Sequence, residues 1–180
     1  MINWPSAQPS LVDGNLTLRP WKAEDLEFVF KSCQDEEIQL FTTVPIPYTK
    51  QDAANFISSR SAGFKDKLTM SFVGEISGEP ALSVSLHHVN IFDHLTEIGY
   101  WVNPKFRGQK LAGKATQLLS DYAIDIGFRR IEAHTLPENY GSQKSLLAAG
   151  FELETVLKSR LTARDSSQSD GVQFVKFATS

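Results

Sequence analysis

The sequence has a single cysteine, Cys33, among its 180 residues. One cysteine excludes an intrachain disulfide and a zinc site made of several thiolates, and it is typical of chains made for a reducing compartment. No uninterrupted apolar run approaches the roughly 20 residues of a membrane-spanning helix. Residues 1–20 also lack the apolar core of a signal peptide. We therefore expect a cytoplasmic protein with no membrane partner.

Neither sign of charge predominates, since 18 basic and 21 acidic side chains leave a net charge of -3. Nucleic-acid binders usually carry a basic surplus, so no nucleic-acid partner is expected. A length of 180 residues, 41% of them hydrophobic, suffices to bury one core. Because no internal repeat or low-complexity linker divides the chain, we predict a single domain over residues 1–180.

Hydrophobic periodicity predicts an alternation of strands and helices. The predicted helices cover residues 23–34, 49–64, 107–126 and 139–149. The predicted strands cover residues 15–19, 69–76, 80–88, 94–102, 130–136, 151–163 and 172–178. Strand–helix–strand units of this kind indicate an α/β fold in which helices cover a mixed sheet.

The segment 100–114 joins a predicted strand to a predicted helix through a short loop. Backbone N–H groups at a helix start form a natural anion site together with the helix dipole. No acidic residue occurs between Glu97 and Asp121, whereas four residues there are basic: Lys105, Arg107, Lys110 and Lys114. Three small residues leave the backbone accessible: Gly108, Ala112 and Gly113. The segment favours a pyrophosphate site; the alternative is an ordinary helix start with a solvated basic turn.

Two common phosphate-binding motifs are absent from this segment. It lacks the Gly-Lys-Ser/Thr ending of a P-loop, and no Gly-x-Gly-x-x-Gly fingerprint of dinucleotide-binding proteins occurs. A nucleotide-binding protein that uses the same loop is therefore only a third hypothesis.

Several fragments in order resemble the GNAT superfamily of N-acetyltransferases, in particular the branch of the RimJ and RimL ribosomal-protein acetyltransferases. They are residues 16–21 (LTLRPW), 97–102 (EIGYWV), 107–112 (RGQKLA), 137–142 (PENYGS) and 149–151 (AGF). The resemblance covers nearly the whole chain. It implies a mixed, mostly antiparallel twisted sheet of about seven strands with helices on both faces, and acetyl-CoA as the acyl donor.

The resemblance also implies which residues hold acetyl-CoA. In such enzymes the end of the strand at 97–102 pairs with pantetheine amides, a role that falls here on Trp101 and Val102. Main-chain N–H groups of the loop hold the pyrophosphate, and Asn-x-x-Ser faces the lower pantetheine arm. The remaining expected binding residues are Arg107, Gly108, Gln109, Lys110, Leu111, Ala112, Gly113, Lys114, Asn139, Ser142 and Lys144.

Acetyl transfer to an amine requires a neutral amine, although an alkyl ammonium has a pKa near ~10. We expect Glu97 to be the catalytic base, and a route through water or His134 stays open. Ser142 is expected to hydrogen-bond the leaving thiolate, with Tyr140 as a second candidate. The alternatives are that Glu97 only pairs with a cation and that Ser142 only caps a helix.

A metal site is not expected from the sequence. His87, His88 and His94 lie near a predicted turn without a recognisable ligand spacing, which favours a polar pair flanking that turn. Cys33 lies on the apolar side of a predicted helix, so we expect it in the core. Acidic residues of the first helices would attract a cationic amine, either a protein N-terminus or a small molecule.

Two departures from the family pattern support an alternative function. Lys110 stands where the acetyl-CoA loop usually has its central glycine, and Leu146 stands where many members have a tyrosine. The alternative is a catalytically weak or inactive coenzyme A sensor or interaction module. The oligomeric state stays open: members of this family often form homodimers through strand edges, and nothing in these residues decides it.

Overall fold

The computed structural model describes residues 1–178, which form a mixed sheet of eight strands with the order β1-β2-β3-β4-β5-β6-β8-β7. The strands are β1 (Leu11–Asp13), β2 (Leu16–Pro20), β3 (Met70–Ile76), β4 (Glu79–Asn90), β5 (Leu95–Val102), β6 (Arg130–Thr135), β7 (Glu152–Thr162) and β8 (Gln168–Phe177). All neighbours are antiparallel except β5 and β6. The predicted α/β fold class is confirmed.

The sheet has one strand more than the expected seven. The additional strand, β1, pairs with β2 across a turn in which Gly14 has a left-handed φ of 58°. Three residues are too few to show the alternation by which a strand is recognised in a sequence. β8 also begins at Gln168, earlier than predicted, so the polar stretch before it is a short hairpin connection rather than a long loop.

Five α-helices accompany the sheet: α1 (Leu26–Ser32), α2 (Glu36–Phe41), α3 (Lys50–Lys65), α4 (Leu111–Asp125) and α5 (Tyr140–Ala148). The predicted first helix begins as a 3₁₀ turn at Ala23–Asp25. α2 was not predicted; its N-cap is Asp35, whose carboxylate accepts a hydrogen bond from the Ile38 N–H. Within residues 1–178, no helix combines the length and the apolar character that crossing a membrane requires.

The helix predicted from residue 107 begins only at Leu111. Gly108 and Lys110 have left-handed φ angles of 76° and 60°, which are incompatible with right-handed helical backbone. Residues 107–110 therefore form a loop that leads into α4.

Alternating residues of β5 face two different cores. Ile98 packs with the buried face of α4, which includes Ala115 and Leu119. Trp101 packs instead with the cluster of α1 and α3, which contains Cys33. Helices thus cover both faces, as expected. Cys33 is buried, and burial raises its pKa to about 11, so this thiol is a core group.

The parallel pair β5–β6 separates part-way along its length. The two strands pair only from Leu95 to Glu97 of β5, opposite Arg130 to Glu132 of β6. Beyond that point β5 continues along β4 and β6 continues along β8. A gap therefore opens in the sheet directly after Glu97, and this gap positions the site.

Candidate acetyl-transfer site

The gap between β5 and β6 leads into a cleft of about 1480 Å³, which we call the central cleft. Its walls come from the end of β5, the start of α4, the end of β6, α5, the segment from α2 to α3, and the end of β7. It brings together most of the expected site residues: Glu97, Trp101, Val102, Arg107, Gly108, Lys110, Leu111, Ala112, Asn139 and Ser142.

Four expected binding residues do not line the central cleft. Gln109, Lys114 and Lys144 are exposed on the outer surface. Gly113 is buried, and a Cβ at this position would lie 3.2 Å from the Ser145 carbonyl oxygen. The small size of Gly113 therefore serves the close packing of α4 against α5, rather than the approach of a ligand.

The loop before α4 offers unused backbone donors. The N–H groups from Gly108 to Gly113 donate no hydrogen bond within residues 1–178, and the first N–H of the region to do so is that of Lys114. These groups lie at the positive end of a helix of 15 residues. A Cβ at Gly108 would meet no atom within 4 Å, so the backbone there is open to a ligand.

Lys110 takes the conformation for which a glycine is usually required. Its φ of 60° and ψ of 19° are left-handed, a region that costs a residue with a side chain about 1 kcal/mol. The loop therefore keeps the left-handed backbone conformation that a glycine would adopt, although the residue is lysine. Strain of this kind concentrates at functional sites.

The Arg107 guanidinium is bound to carboxylates of α2 rather than free for a phosphate. It contacts Asp35 and lies 3.0 Å from an Oε of Glu37. Burial alone would raise the pKa of Asp35, but the hydrogen bonds from Arg107 and from the Ile38 N–H outweigh it and lower that pKa. Arg107 therefore connects the loop before α4 to α2, which borders the opposite part of the central cleft.

Three histidines surround the carboxylate of Glu97. His134 Nδ1 and His87 Nε2 each lie 3.3 Å from Oε1, and His88 Nδ1 lies 3.0 Å from Oε2. Burial would raise the pKa of Glu97, but hydrogen bonds from His134, His87 and His88 outweigh it and hold the pKa well below its usual range. The hydrogen bond to Glu97 raises the pKa of His134. His87 and His88 precede the turn at residues 91–94, as predicted, and their contacts with Glu97 are an addition that the sequence did not indicate.

Ser142 forms a pair of hydroxyl groups with Tyr100. The two side-chain oxygens lie 2.9 Å apart, and both residues line the central cleft. The helix cap is Asn139, whose Oδ1 accepts the Ser142 N–H at 3.0 Å, so the Ser142 hydroxyl is not used for capping. Burial raises the pKa of Tyr100 to about 12, which keeps the phenol protonated at neutral pH.

Tyr100 was missed in the sequence although it lies inside the quoted fragment 97–102. The other tyrosine candidate, Tyr140, is 68% exposed and does not line the central cleft. Leu146 occupies the position of the family's tyrosine and is buried in the core. The phenol therefore comes from β5 instead of α5.

Thr135 was also missed in the sequence, and it lines the central cleft. Its side chain is buried at the end of β6, and Oγ1 has no hydrogen-bond partner within residues 1–178. A buried hydroxyl without a partner costs on the order of 1–3 kcal/mol.

Comparison with known proteins decides the family. A family model described as an acetyltransferase (GNAT) domain matches residues 15–152. The chain belongs to the GNAT acetyltransferase family. The N-acetyltransferase YnaD of Bacillus subtilis (strain 168) is 23% identical over 145 residues, which cover 79% of this chain and 82% of YnaD.

Solved GNAT structures share the same fold. RimL, a ribosomal L7/L12 alpha-N-protein acetyltransferase solved with coenzyme A, superposes with a TM-score of 0.86 at 16% identity, covering 95% of this chain and all 100% of RimL. RimJ of Mycobacterium smegmatis, solved with a coenzyme A disulfide, has a TM-score of 0.86 at 23% identity, with 98% and 90% covered. The prediction of a GNAT N-acetyltransferase with acetyl-CoA as donor is confirmed.

Proposed function

We propose that this GNAT enzyme transfers the acetyl group of acetyl-CoA to a primary amine that enters the central cleft beside α2 and α3. One observation carries the proposal. The same cleft joins the free N–H groups before α4, the gap between β5 and β6, the Glu97 carboxylate and the Tyr100–Ser142 pair. The N–H groups form an anion site, and the gap can hold an extended chain. The carboxylate and the hydroxyl pair are two polar groups of different chemistry.

Acetyl-CoA fits this arrangement through groups that the fold leaves without partners. The N–H groups from Gly108 to Ala112 suit its pyrophosphate, as helix N-termini generally suit phosphates. The edge of β5 that faces the gap is unpaired beyond Glu97, so Trp101 and Val102 can offer backbone groups to the pantetheine amides.

Residues of the two sides of the gap have separate tasks in the transfer. His134 receives the proton that the amine must lose before it attacks the thioester carbonyl, because its hydrogen bond to Glu97 raises the pKa of the imidazole. Glu97, whose own pKa is held low, stays ionised and stabilises the imidazolium. The Ser142 hydroxyl, backed by the Tyr100 phenol, donates a hydrogen bond to the sulfur as the C–S bond breaks and negative charge develops there. The amine nitrogen thus gains the acetyl group as the C–S bond breaks. The proton taken before the attack is released to water, and the second proton that the nitrogen loses as the amide forms neutralises the thiolate.

The lining of the central cleft supports a cationic acceptor. Glu37 and Asp52 contribute carboxylates from α2 and α3, in addition to Glu97. Because Arg60 also lines this part, the acceptor carries a polar or anionic group beside its amine. RimL, which shares the fold, is described as acting on a ribosomal-protein α-amino group. We therefore propose a protein N-terminus as acceptor, ahead of a small-molecule amine.

The structure removes both reasons for considering an inactive coenzyme A sensor. Lys110 keeps the loop conformation of a glycine, and Tyr100 supplies a phenol although position 146 is leucine. An enzyme is therefore the better proposal.

A peptide and amine library screened with acetyl-CoA by mass shift tests the function. Glu97→Gln and Ser142→Ala should lower turnover while coenzyme A binding, measured by calorimetry, stays nearly intact. Glu152→Gln and Ser61→Ala are matched controls, because both residues are exposed and outside the cleft. Binding of coenzyme A without turnover on any amine would instead support a sensor, and unchanged turnover in both site variants would refute the assigned roles.

A further inference from the structure

His87 and His88 both reach Glu97 although they are neighbours in a strand. Consecutive side chains of a regular strand point to opposite faces. Here the register of β4 against β5 shifts between His87 and Asn90, and His88 has a left-handed φ of 48°. This bulge turns the His88 ring to the face on which His87 and Glu97 lie.

Gly99 provides the space that His87 occupies. A Cβ at Gly99 would lie 2.9 Å from His87 Cε1, so a side chain at this position would displace the imidazole. The cluster of His87, His88 and Glu97 thus depends on a bulge in β4 and on a glycine in β5, and it is built by two strands. We call these residues the histidine–glutamate cluster.

The donor atoms of the histidine–glutamate cluster lie close enough together to become ligands of one ion after small side-chain rotations. One atom from each residue can be chosen so that all lie within 4.8 Å of one another. The two imidazole nitrogens lie 3.3 Å and 3.0 Å from the Glu97 oxygens. Ligands bound to a tetrahedral zinc at 2.0–2.1 Å are about 3.3 Å apart. Small side-chain rotations would place an ion between these atoms.

Ligand type, access and orientation agree with this geometry. Imidazole and carboxylate are common zinc ligands, and thiolates are not required. His88 is 76% exposed, so an ion can arrive from solvent. His134 contacts the Glu97 Oε1 from β6 and can hold the carboxylate as an outer-shell partner.

We infer that the histidine–glutamate cluster binds one zinc ion, with water or the acceptor amine as the fourth ligand, and that bound zinc inhibits acetyl transfer. Inhibition follows because a metal on Glu97 neutralises the carboxylate that stabilises His134 when it takes the amine proton. The inhibition rests on the proposed function, whereas zinc binding does not. Zinc is here an inhibitor and not a cofactor of the transfer.

Equilibrium dialysis against ZnCl₂ tests the binding, with chains that carry no histidine tag. The native chain should bind one zinc per molecule, and His88→Asn should weaken binding about tenfold or more. Asparagine is suitable because it tolerates left-handed backbone. His94→Asn is the matched control, because His94 also has a positive φ of 56° but bonds to the Gly127 carbonyl oxygen, outside the cluster. His94→Asn should bind zinc like the native chain.

Acetylated peptide, measured by mass spectrometry so that free thiols do not interfere, tests the inhibition. Zinc should suppress product formation by the native chain, and a chelator should restore it. For His88→Asn, half-inhibition relative to the same variant without zinc should need about tenfold more zinc or more. Absence of binding, or equal binding by native chain and His88→Asn, would overturn the site and leave His87 and His88 as hydrogen-bond partners of Glu97. Binding without inhibition would overturn the inhibitory role. If no amine is acetylated at all, dialysis still decides the zinc site.

Discussion

The hydroxyl groups of Tyr100 and Ser142 lie 2.9 Å apart across the central cleft, although 42 positions separate them in the sequence. Tyr100 comes from β5 and Ser142 from the first turn of α5. The Tyr100 hydroxyl also lies 3.1 Å from the Ser142 carbonyl oxygen. A phenol within reach of both oxygens has a fixed orientation, and its single proton goes either to the carbonyl or to Oγ. When the phenol donates to Oγ, the Ser142 proton is free for the leaving sulfur.

Tyr100→Phe should lower kcat by about 100-fold. Without the phenol, no group donates a hydrogen bond to the Ser142 oxygen while the Ser142 proton bonds the leaving sulfur. The KM for acetyl-CoA should change little, since the phenyl ring keeps its packing. Steady-state kinetics with the best peptide of the screen measures both constants. Tyr140→Phe removes a phenol on α5 that is 68% exposed and should leave kcat unchanged. Equal effects of the two variants would contradict the assignment.

The elements with long, regular patterns could be predicted from the sequence. The α4 helix repeats apolar residues at helical spacing, and its buried face is formed by Ala115, Leu119 and Ala123. By contrast, α2 has six residues and follows α1 after a short break. Its acidic start, Asp35 to Glu37, carries too little periodicity to distinguish a new helix from the polar end of the previous one.

The residues that line the site could be predicted from the sequence better than the side chains that contact them. Glu97 and Ser142 stand in quoted fragments, so their presence at the cleft was expected. The contacts of Glu97 with His87, His88 and His134 depend on a bulge in β4 and on the pairing of three strands. Likewise Arg107 was expected near a phosphate because the sequence cannot show that α2 approaches it. Long-range contacts of this kind are fixed by packing and not by local pattern.

Arg107→Gln should affect the acceptor more than the donor. The guanidinium binds Asp35 and Glu37 of α2, so its loss frees α2 and should raise the KM for the acceptor peptide. The Kd of coenzyme A should change by no more than about fivefold, the upper range for a partly exposed ion pair. Calorimetry and steady-state kinetics separate the two effects. A larger loss of coenzyme A affinity than of acceptor affinity would place Arg107 on the phosphate after all.

Stability should depend on acid pH through Asp25. Its carboxylate is buried and accepts two hydrogen bonds of 2.8 Å from Arg19 and one of 2.8 Å from the Lys22 N–H. Burial would raise the pKa of Asp25, but these bonds outweigh it, and the folded-state pKa lies below the usual value of 3.8. A depressed pKa means that the stabilisation is complete above the unfolded-state pKa and is lost as the pH falls through the folded-state pKa.

Asp25→Asn should therefore cost about 2 kcal/mol in the free energy of unfolding at pH 7, because Arg19 loses one of its two carboxylate partners and keeps Glu75. The difference from the native chain should shrink as the pH falls below about 4. Urea unfolding at a series of pH values measures it. Glu24→Gln, an exposed position in the same turn, should show no comparable difference. A gap between native chain and Asp25→Asn that stays constant with pH would contradict this role.

The left-handed backbone of Lys110 predicts a reversal of the usual order of alanine and glycine. Lys110→Gly relieves the strain at φ 60°, whereas Lys110→Ala keeps it, so the glycine variant should be more stable by about 1 kcal/mol. Lys114 is the matched control, because it lies one turn later within α4. There Lys114→Gly should be less stable than Lys114→Ala by about 1 kcal/mol, since glycine is unfavourable inside a helix. Urea unfolding of the four variants measures both differences. Glycine lowering stability relative to alanine at both positions would show that Lys110 lies in ordinary helical backbone, and the free N–H groups would then lie nearer to an earlier helix start.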